Sequence, residues 1–223
     1  MVAVVPAVPR TARDLRYITT VLALTVYRFA PRGDDLQRRI HDLIVTKAQP
    51  VPAGARMLDI GCGSGSLVVK LAKAAPDSFV TGVDSWGRDW EYSQRQCAEN
   101  ARIEGVADRT AFHQQSAAAV DGSFDVVVSC LTFHEVGDLE SATGALVAAL
   151  RVVGPGGRFA FLDLFGDPGH YPSPDGVREA IEGAGGTIEE FGGLADALPL
   201  PFPLRHPKVL GHALLVVGSR PRH

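Results

Sequence analysis

The sequence predicts an α/β fold of the doubly wound kind with an N-terminal helical extension, and three observations support it. Residues 57–66, Met-Leu-Asp-Ile-Gly-Cys-Gly-Ser-Gly-Ser, read as a short buried strand that ends in a glycine-rich turn and opens a helix. From there to the end of the chain, apolar runs of strand length alternate with segments of helical spacing. The runs Val126-Val127-Val128 and 213–217 lack the alternation of a half-exposed strand, as expected where helices cover both faces of a sheet.

Residues 1–12, with Pro6 and Pro9, read as an extended leader. Apolar spacing supports one helix from Asp14 to about Phe29, interrupted near Pro31-Arg32-Gly33. A second runs from Asp34 or Asp35 to Lys47, because Leu36, Ile40, Leu43 and Ile44 recur at helical spacing and the aspartates suit its N-terminus. Pro50 and Pro52 close it. Strands are expected at 56–60, 79–83, 109–113, 124–129, 157–163 and 209–217, and helices at 65–75, 89–102, 139–151 and 174–184. The proline-rich connection 198–204 has the length for a flap over a pocket, with packing against the core equally open. No repeat or long linker divides the chain, so residues 1–50 are expected to form a leader and helical cap within the same unit as residues 51–223.

The glycine spacing argues against two nucleotide-binding classes. A dinucleotide fingerprint wants its third glycine where Ser66 stands, and a P-loop ends in Gly-Lys-Ser/Thr where this chain has Gly65-Ser66-Leu67. What remains is a turn that lets the backbone approach a ligand, followed by helical N–H groups that favour an anionic group. In placing Asp59 before Gly61, Gly63 and Gly65, and Asp84 after the apolar run 79–83, the chain resembles the class I S-adenosylmethionine-dependent methyltransferases. The resemblance continues through Phe124-Asp125-Val126-Val127-Val128-Ser129 and through 150–159, covering roughly residues 50 to 165. It implies a Rossmann-like, doubly wound, seven-stranded methyltransferase fold whose last strand inserts antiparallel. It also implies S-adenosyl-L-methionine as cofactor and methyl transfer to a small-molecule acceptor.

By that resemblance, Gly61, Cys62, Gly63 and Gly65 form the cofactor turn, and Asp59 orders it near the cofactor's amino-acid moiety. Asp84 is expected at the ribose, whose two hydroxyl donors suit an ionised carboxylate. Ser85 and Trp86 follow it, and Trp86 either covers the adenine by stacking or fills the core with Trp90. The family often has an acid after its third strand; here Gln115 is the expected acceptor for the adenine amino group, with Ser116 assisting.

Ligands of open α/β sheets lie outside the carboxyl ends of the strands, which places the acceptor chemistry at 128–136 and 162–171. His134 is the general-base candidate, Glu135 orients it or acts separately, and Asp163 is a candidate second polar wall. The Asn-Pro-Pro-aromatic pattern resembling amino-group methyltransferases of DNA and glutamine is missing from 128–136. Asp163, Asp167 and His170 have the spacing of a metal set but form no recognised motif, and no metal is expected. A non-methylating cyclase or rearrangement enzyme on the same fold, and a catalytically inactive binding or scaffold protein, stay open as alternatives.

Lysine and arginine number 22 against 25 acidic residues, a formal net charge of −3, so no global basic field recommends nucleic acid as a partner. Residues 1–50 carry a formal +4, which with the apolar run 21–26 leaves peripheral membrane contact through that region open. The run is too short for a bilayer span of about 20 residues, and Arg28 and Arg32 follow where a secretory signal would place small residues. Cys62, Cys97 and Cys130 show no Cys-x-x-Cys spacing and suit a reducing, cytoplasmic setting. The expected partner is a small-molecule methyl acceptor; association into a homo-oligomer stays open.

Overall fold

Helices cover both faces of a seven-stranded sheet in the computed structural model, which describes residues 12–30, 32–87, 92–136 and 141–222, with backbone alone for 12–18. Helices α1 (Ala12–Phe29) and α2 (Leu36–Lys47) precede β1 (Arg56–Ile60), α3 (Ser66–Ala74), β2 (Phe79–Asp84), α4 (Gln94–Ile103), β3 (Thr110–Gln114) and β4 (Phe124–Cys130). There follow α5 (Ala142–Arg151), β5 (Val153–Asp163), α6 (Pro174–Gly183), β6 (Thr187–Gly193), the single-turn α7 (Leu194–Ala197) and β7 (Leu214–Ser219). The sheet order is β3-β2-β1-β4-β5-β7-β6, parallel except that β7 runs antiparallel to both β5 and β6. The order reverses between β1 and β4, and the crevice beyond their carboxyl ends is where such sheets take ligands.

Burial explains the strands that lack alternation. Met57, Val126, Val128, Ala160 and Leu162 pack with Ile40 and Ile44 of α2 and Leu67 and Leu71 of α3 on one face. Leu58, Ile60, Val127, Phe159 and Phe161 pack with Leu146 of α5 and Val177 and Ile181 of α6 on the other. Adjacent valines therefore enter opposite cores, and an apolar residue is required at every position.

Several boundaries differ from the sequence expectation. Helices α4 and α5 start at Gln94 and Ala142, later than expected, because Ser93 and Ser141 cap them by accepting the N–H of Gln96 and Gly144. Trp90 and the expected helix starts at 89–91 and 139–140 lie outside the described residues. Strand β6 was not expected: Glu189, Glu190 and two glycines conceal it, since it is a sheet edge bonded only to β7, with Glu189 accepting both guanidinium bonds of Arg158 at 3.1 and 2.8 Å. The expected strand 209–217 splits, because Val209 and Leu210 are buried in a π-helical turn over Pro207–Gly211 and pairing starts only at Leu214. Strand β5 begins at Val153, four residues before the expected start, across a register shift opposite Phe124 and Val126. The 198–204 connection buries Leu200 and Leu204 in the core and does not line the main cavity, so it is packing and not a flap. Among the described residues, no helix is long and apolar enough to cross a membrane.

Candidate active site

The turn after β1 is built by close approach. The N–H groups of Gly61 and Cys62 both donate to the Val83 carbonyl, at 2.8 and 3.1 Å, which pulls the turn onto the end of β2. Gly61 has φ 76°, and a Cβ there would stand 2.1 Å from Thr132 Oγ1, so the position admits no side chain. Gly65, at φ 77°, caps α3 without a side-chain bond and leaves the start of that helix open. Asp84 latches the turn from β2: its Oδ2 accepts the Gly63 N–H and its Oδ1 the Trp86 N–H, both at 2.9 Å. Trp86 Nε1 in turn donates to the Gly63 carbonyl at 2.9 Å. Trp86 and Leu131 hold φ of 38° and 55°, strained values for side-chain-bearing residues, and both line the cavity described next.

That cavity has a volume of about 670 Å³. Asp59, Gly61, Cys62, Gly63, Asp84, Ser85, Trp86, Gln115 and Ser116 all line it; Gly65 alone of the expected cofactor residues does not. Asp59 is 1% exposed, and neither of its carboxylate oxygens has a hydrogen-bond partner among the described residues. Burial, aided by the charge of Asp84, pushes its pKa up to about 8. Buried oxygens of that kind call for a hydrogen-bond donor from the cavity, and the ammonium of S-adenosylmethionine's amino-acid end fits that call. The Cys62 thiol is held protonated by its hydrogen bond with Cys97 and by burial, so it is a packing group and not a nucleophile. The Gln115 amide donates to the Ala119 carbonyl, which leaves its own carbonyl oxygen as an acceptor at the cavity wall.

The acceptor-side candidates divide into a cavity-facing group and a supporting pair. Asp163 is fully buried and does not line the cavity. Its Oδ2 accepts the N–H groups of Thr132 and Phe133 at 3.0 and 2.7 Å, and its Oδ1 accepts that of Leu164 at 2.6 Å and lies 2.6 Å from His134 Nδ1. His134 is likewise absent from the cavity wall, while Glu135 forms part of it, 3.7 Å from His134 Nε2. Of the three, Glu135 alone lines the cavity, with His134 and Asp163 directly behind it. Burial raises the Glu135 pKa above the usual carboxylate range against the opposing charge of His134, which makes it a better proton acceptor. Among the described residues, Asp163, Asp167 and His170 do not gather into a three-ligand metal cluster.

Burial disfavours the His134 imidazolium, but the hydrogen bond and charge of Asp163, with the charge of Glu135, outweigh it and raise the pKa. The pair's contribution to stability is therefore complete below about pH 6.5 and lost as pH rises through the raised value. Wild-type protein should lose melting temperature relative to His134→Gln as pH rises above about 6.5. A pH-independent difference between the two would refute the charged pair.

Sequence reasoning expected a helical cap here but named none of its cavity-lining residues. Thr25, Val26 and Phe29 of α1 and Gln37, Ile40 and His41 of α2 face the same cavity as the glycine turn. The available signal was Gln37 and His41, four residues apart beside the apolar row Leu36, Ile40 and Ile44.

Comparison with known proteins agrees with this geometry. Residues 58–161 match a family model described as a methyltransferase domain. The 27-O-demethylrifamycin SV methyltransferase of Amycolatopsis mediterranei (strain S699) is 35% identical over 136 residues, covering 60% of this chain and 46% of that protein. The S-adenosyl-L-methionine-dependent Diels-Alderase iccD of Talaromyces variabilis is 35% identical over 119 residues, covering 51% of this chain and 38% of its own. The chain thus spans about half or less of the length of these relatives. Among solved structures, the [4+2]-cyclase SpnF superposes with a TM-score of 0.65 at 18% identity, covering 83% of this chain and 81% of that one. Sheet order, glycine turn and the match over residues 58–161 together give the chain the class I S-adenosylmethionine-dependent methyltransferase fold.

Proposed function

We propose that the protein transfers a methyl group from S-adenosylmethionine to a neutral or cationic, largely apolar small molecule. One observation carries this reading: a single cavity runs from the glycine turn and the unpartnered Asp59 to an apolar cap wall, so both reactants share one enclosure. Bound there, the cofactor supplies an electrophilic methyl group on a sulfonium. The wall carboxylates Asp59, Asp84 and Glu135 make the enclosure hostile to an anionic acceptor, and no lysine or arginine lines it among the described residues. Holding the acceptor in line at near-attack distance supplies about 7–11 kcal/mol in well-oriented systems. In this reading Glu135 takes the proton that the acceptor heteroatom loses, and the His134–Asp163 pair fixes the turn that carries it.

Glu135→Gln should lower turnover by about 10²-fold with S-adenosylhomocysteine affinity near wild type, read by single-turnover kinetics and calorimetry. Unchanged turnover, where chemistry limits the rate, removes Glu135 from the proton step. A cyclase reading has support of its own in the similarity to the Diels-Alderase. Incubation with methyl-labelled cofactor and a metabolite extract separates the two: label transfer demonstrates methylation, an unlabelled new product demonstrates cyclisation or rearrangement, and neither outcome leaves a binding protein.

A further inference from the structure

We propose that His41 of the helical cap and Ser66 at the start of α3 hold the carboxylate of the cofactor's amino-acid end, so that the cap itself is part of the cofactor site. This rests on the cofactor reading above and assigns its other pole. Asp59 answers the ammonium; a zwitterion also needs donors for its carboxylate, and these two side chains supply them from the same cavity.

His41 on α2 is 6% exposed and lines the cavity together with Ser66. Its Nδ1 lies 3.3 Å from Ser66 Oγ. The chemistry of this pair is independent of tautomer. If Nδ1–H donates to Ser66, the serine O–H remains to be given; if the serine donates to Nδ1, Nε2 carries the remaining proton. Either way one donor is left over, beside a helix start whose Gly65 cap makes no side-chain bond and whose first turn has no acidic residue. Nine residues of helix direct their positive end there.

The surroundings keep the imidazole neutral. Burial, followed by the charge of Lys70 on α3, lowers its pKa to about 4, against the opposing charges of Asp42 and Asp35. Lys70 is paired with Asp42, and Arg38 bonds Asp35 at 2.6 Å and Asp42 at 3.2 Å, so the charges around His41 largely answer one another. Across the cavity stand the carboxylates Asp59, Asp84 and Glu135. A neutral donor suits this position, since it binds a carboxylate without burying a second cation beside Lys70.

The test uses intact protein and three probes: S-adenosylhomocysteine, its decarboxylated analogue S-adenosyl-3-thiopropylamine, and 5′-methylthioadenosine. His41→Ala and Ser66→Ala should each weaken S-adenosylhomocysteine by about 10- to 100-fold, while binding of the two probes without a carboxylate changes by less than about threefold. His41→Gln, which keeps an N–H donor, should recover most of the loss. Equal weakening of all three probes in both variants would reduce the pair to packing and overturn the proposal, as would unchanged S-adenosylhomocysteine binding. Wild-type protein that binds none of the probes overturns the cofactor reading as well, which distinguishes the two failures. Ser66→Ala, at the helix surface of the cavity, covers the case in which His41→Ala does not fold.

Discussion

Asp59→Asn should weaken S-adenosylhomocysteine binding by about 100-fold at pH 8 and at the same time raise the melting temperature of the unliganded protein. Both effects come from one buried carboxylate without partners. Its folded-state pKa, about 8, stands well above the ordinary 3.8. The fold therefore favours the protonated form. Asp59's contribution to the stability of the unliganded protein is greatest below the ordinary carboxylate value, falls as pH climbs toward 8, and above it carries the full cost of a buried charge, at most about 6 kcal/mol. Asparagine keeps the shape without the charge, so its advantage in melting temperature should grow between about pH 5 and pH 8. Binding runs the other way. A ligand ammonium favours the ionised acid, so wild-type affinity should rise by up to about tenfold per pH unit below 8 and level off above it, whereas the asparagine variant should be flat. Normal binding by Asp59→Asn at pH 8 would show that the ammonium is held elsewhere.

Asp163→Ala is expected to cost about 3–5 kcal/mol of unfolding free energy, measured by denaturant titration. The substitution leaves the N–H groups of Thr132, Phe133 and Leu164 without their acceptor and His134 without its anchor. Since Thr132 lies against Gly61 and Glu135 follows two residues after Phe133, the same change should also loosen the cofactor turn and the acceptor wall. Asp163→Asn, which retains one acceptor oxygen, should fall between the two. Wild-type stability with lost turnover would mean that Asp163 acts on the acceptor and not on the fold.

The cofactor half of the site was legible in the sequence because its determinants are local. Gly61, Gly63 and Gly65 lie within five residues, and Asp84 follows an apolar run whose pairing with 56–60 is fixed by burial. The cap was legible as an element but not in its contacts. Leu36, Ile40 and Ile44 announce a buried face, but only tertiary packing shows that His41 beside them meets Ser66, which lies 25 residues further on. His134 illustrates a different gap. Its chemistry could be read from its type and its place after a strand, yet the direction of its ring is set by Asp163, 29 residues away on the neighbouring strand. Strand β6 was hidden for the reason that edge strands generally are, since one unpaired and solvated side tolerates charge and glycine.

The placement of α1 bears on how such a protein diversifies. Thr25, Val26 and Phe29 shape the far wall, yet none belongs to the fully buried core, and Val26 is 60% exposed. Substitutions there alter the contour offered to an acceptor while leaving the sheet, the glycine turn and the Asp84 latch untouched. On the proposed function, the contour offered to an acceptor and the packing of the core are thus set by separate stretches of chain. A library confined to these three positions is the economical route to new acceptor preference, because most of its members should still fold.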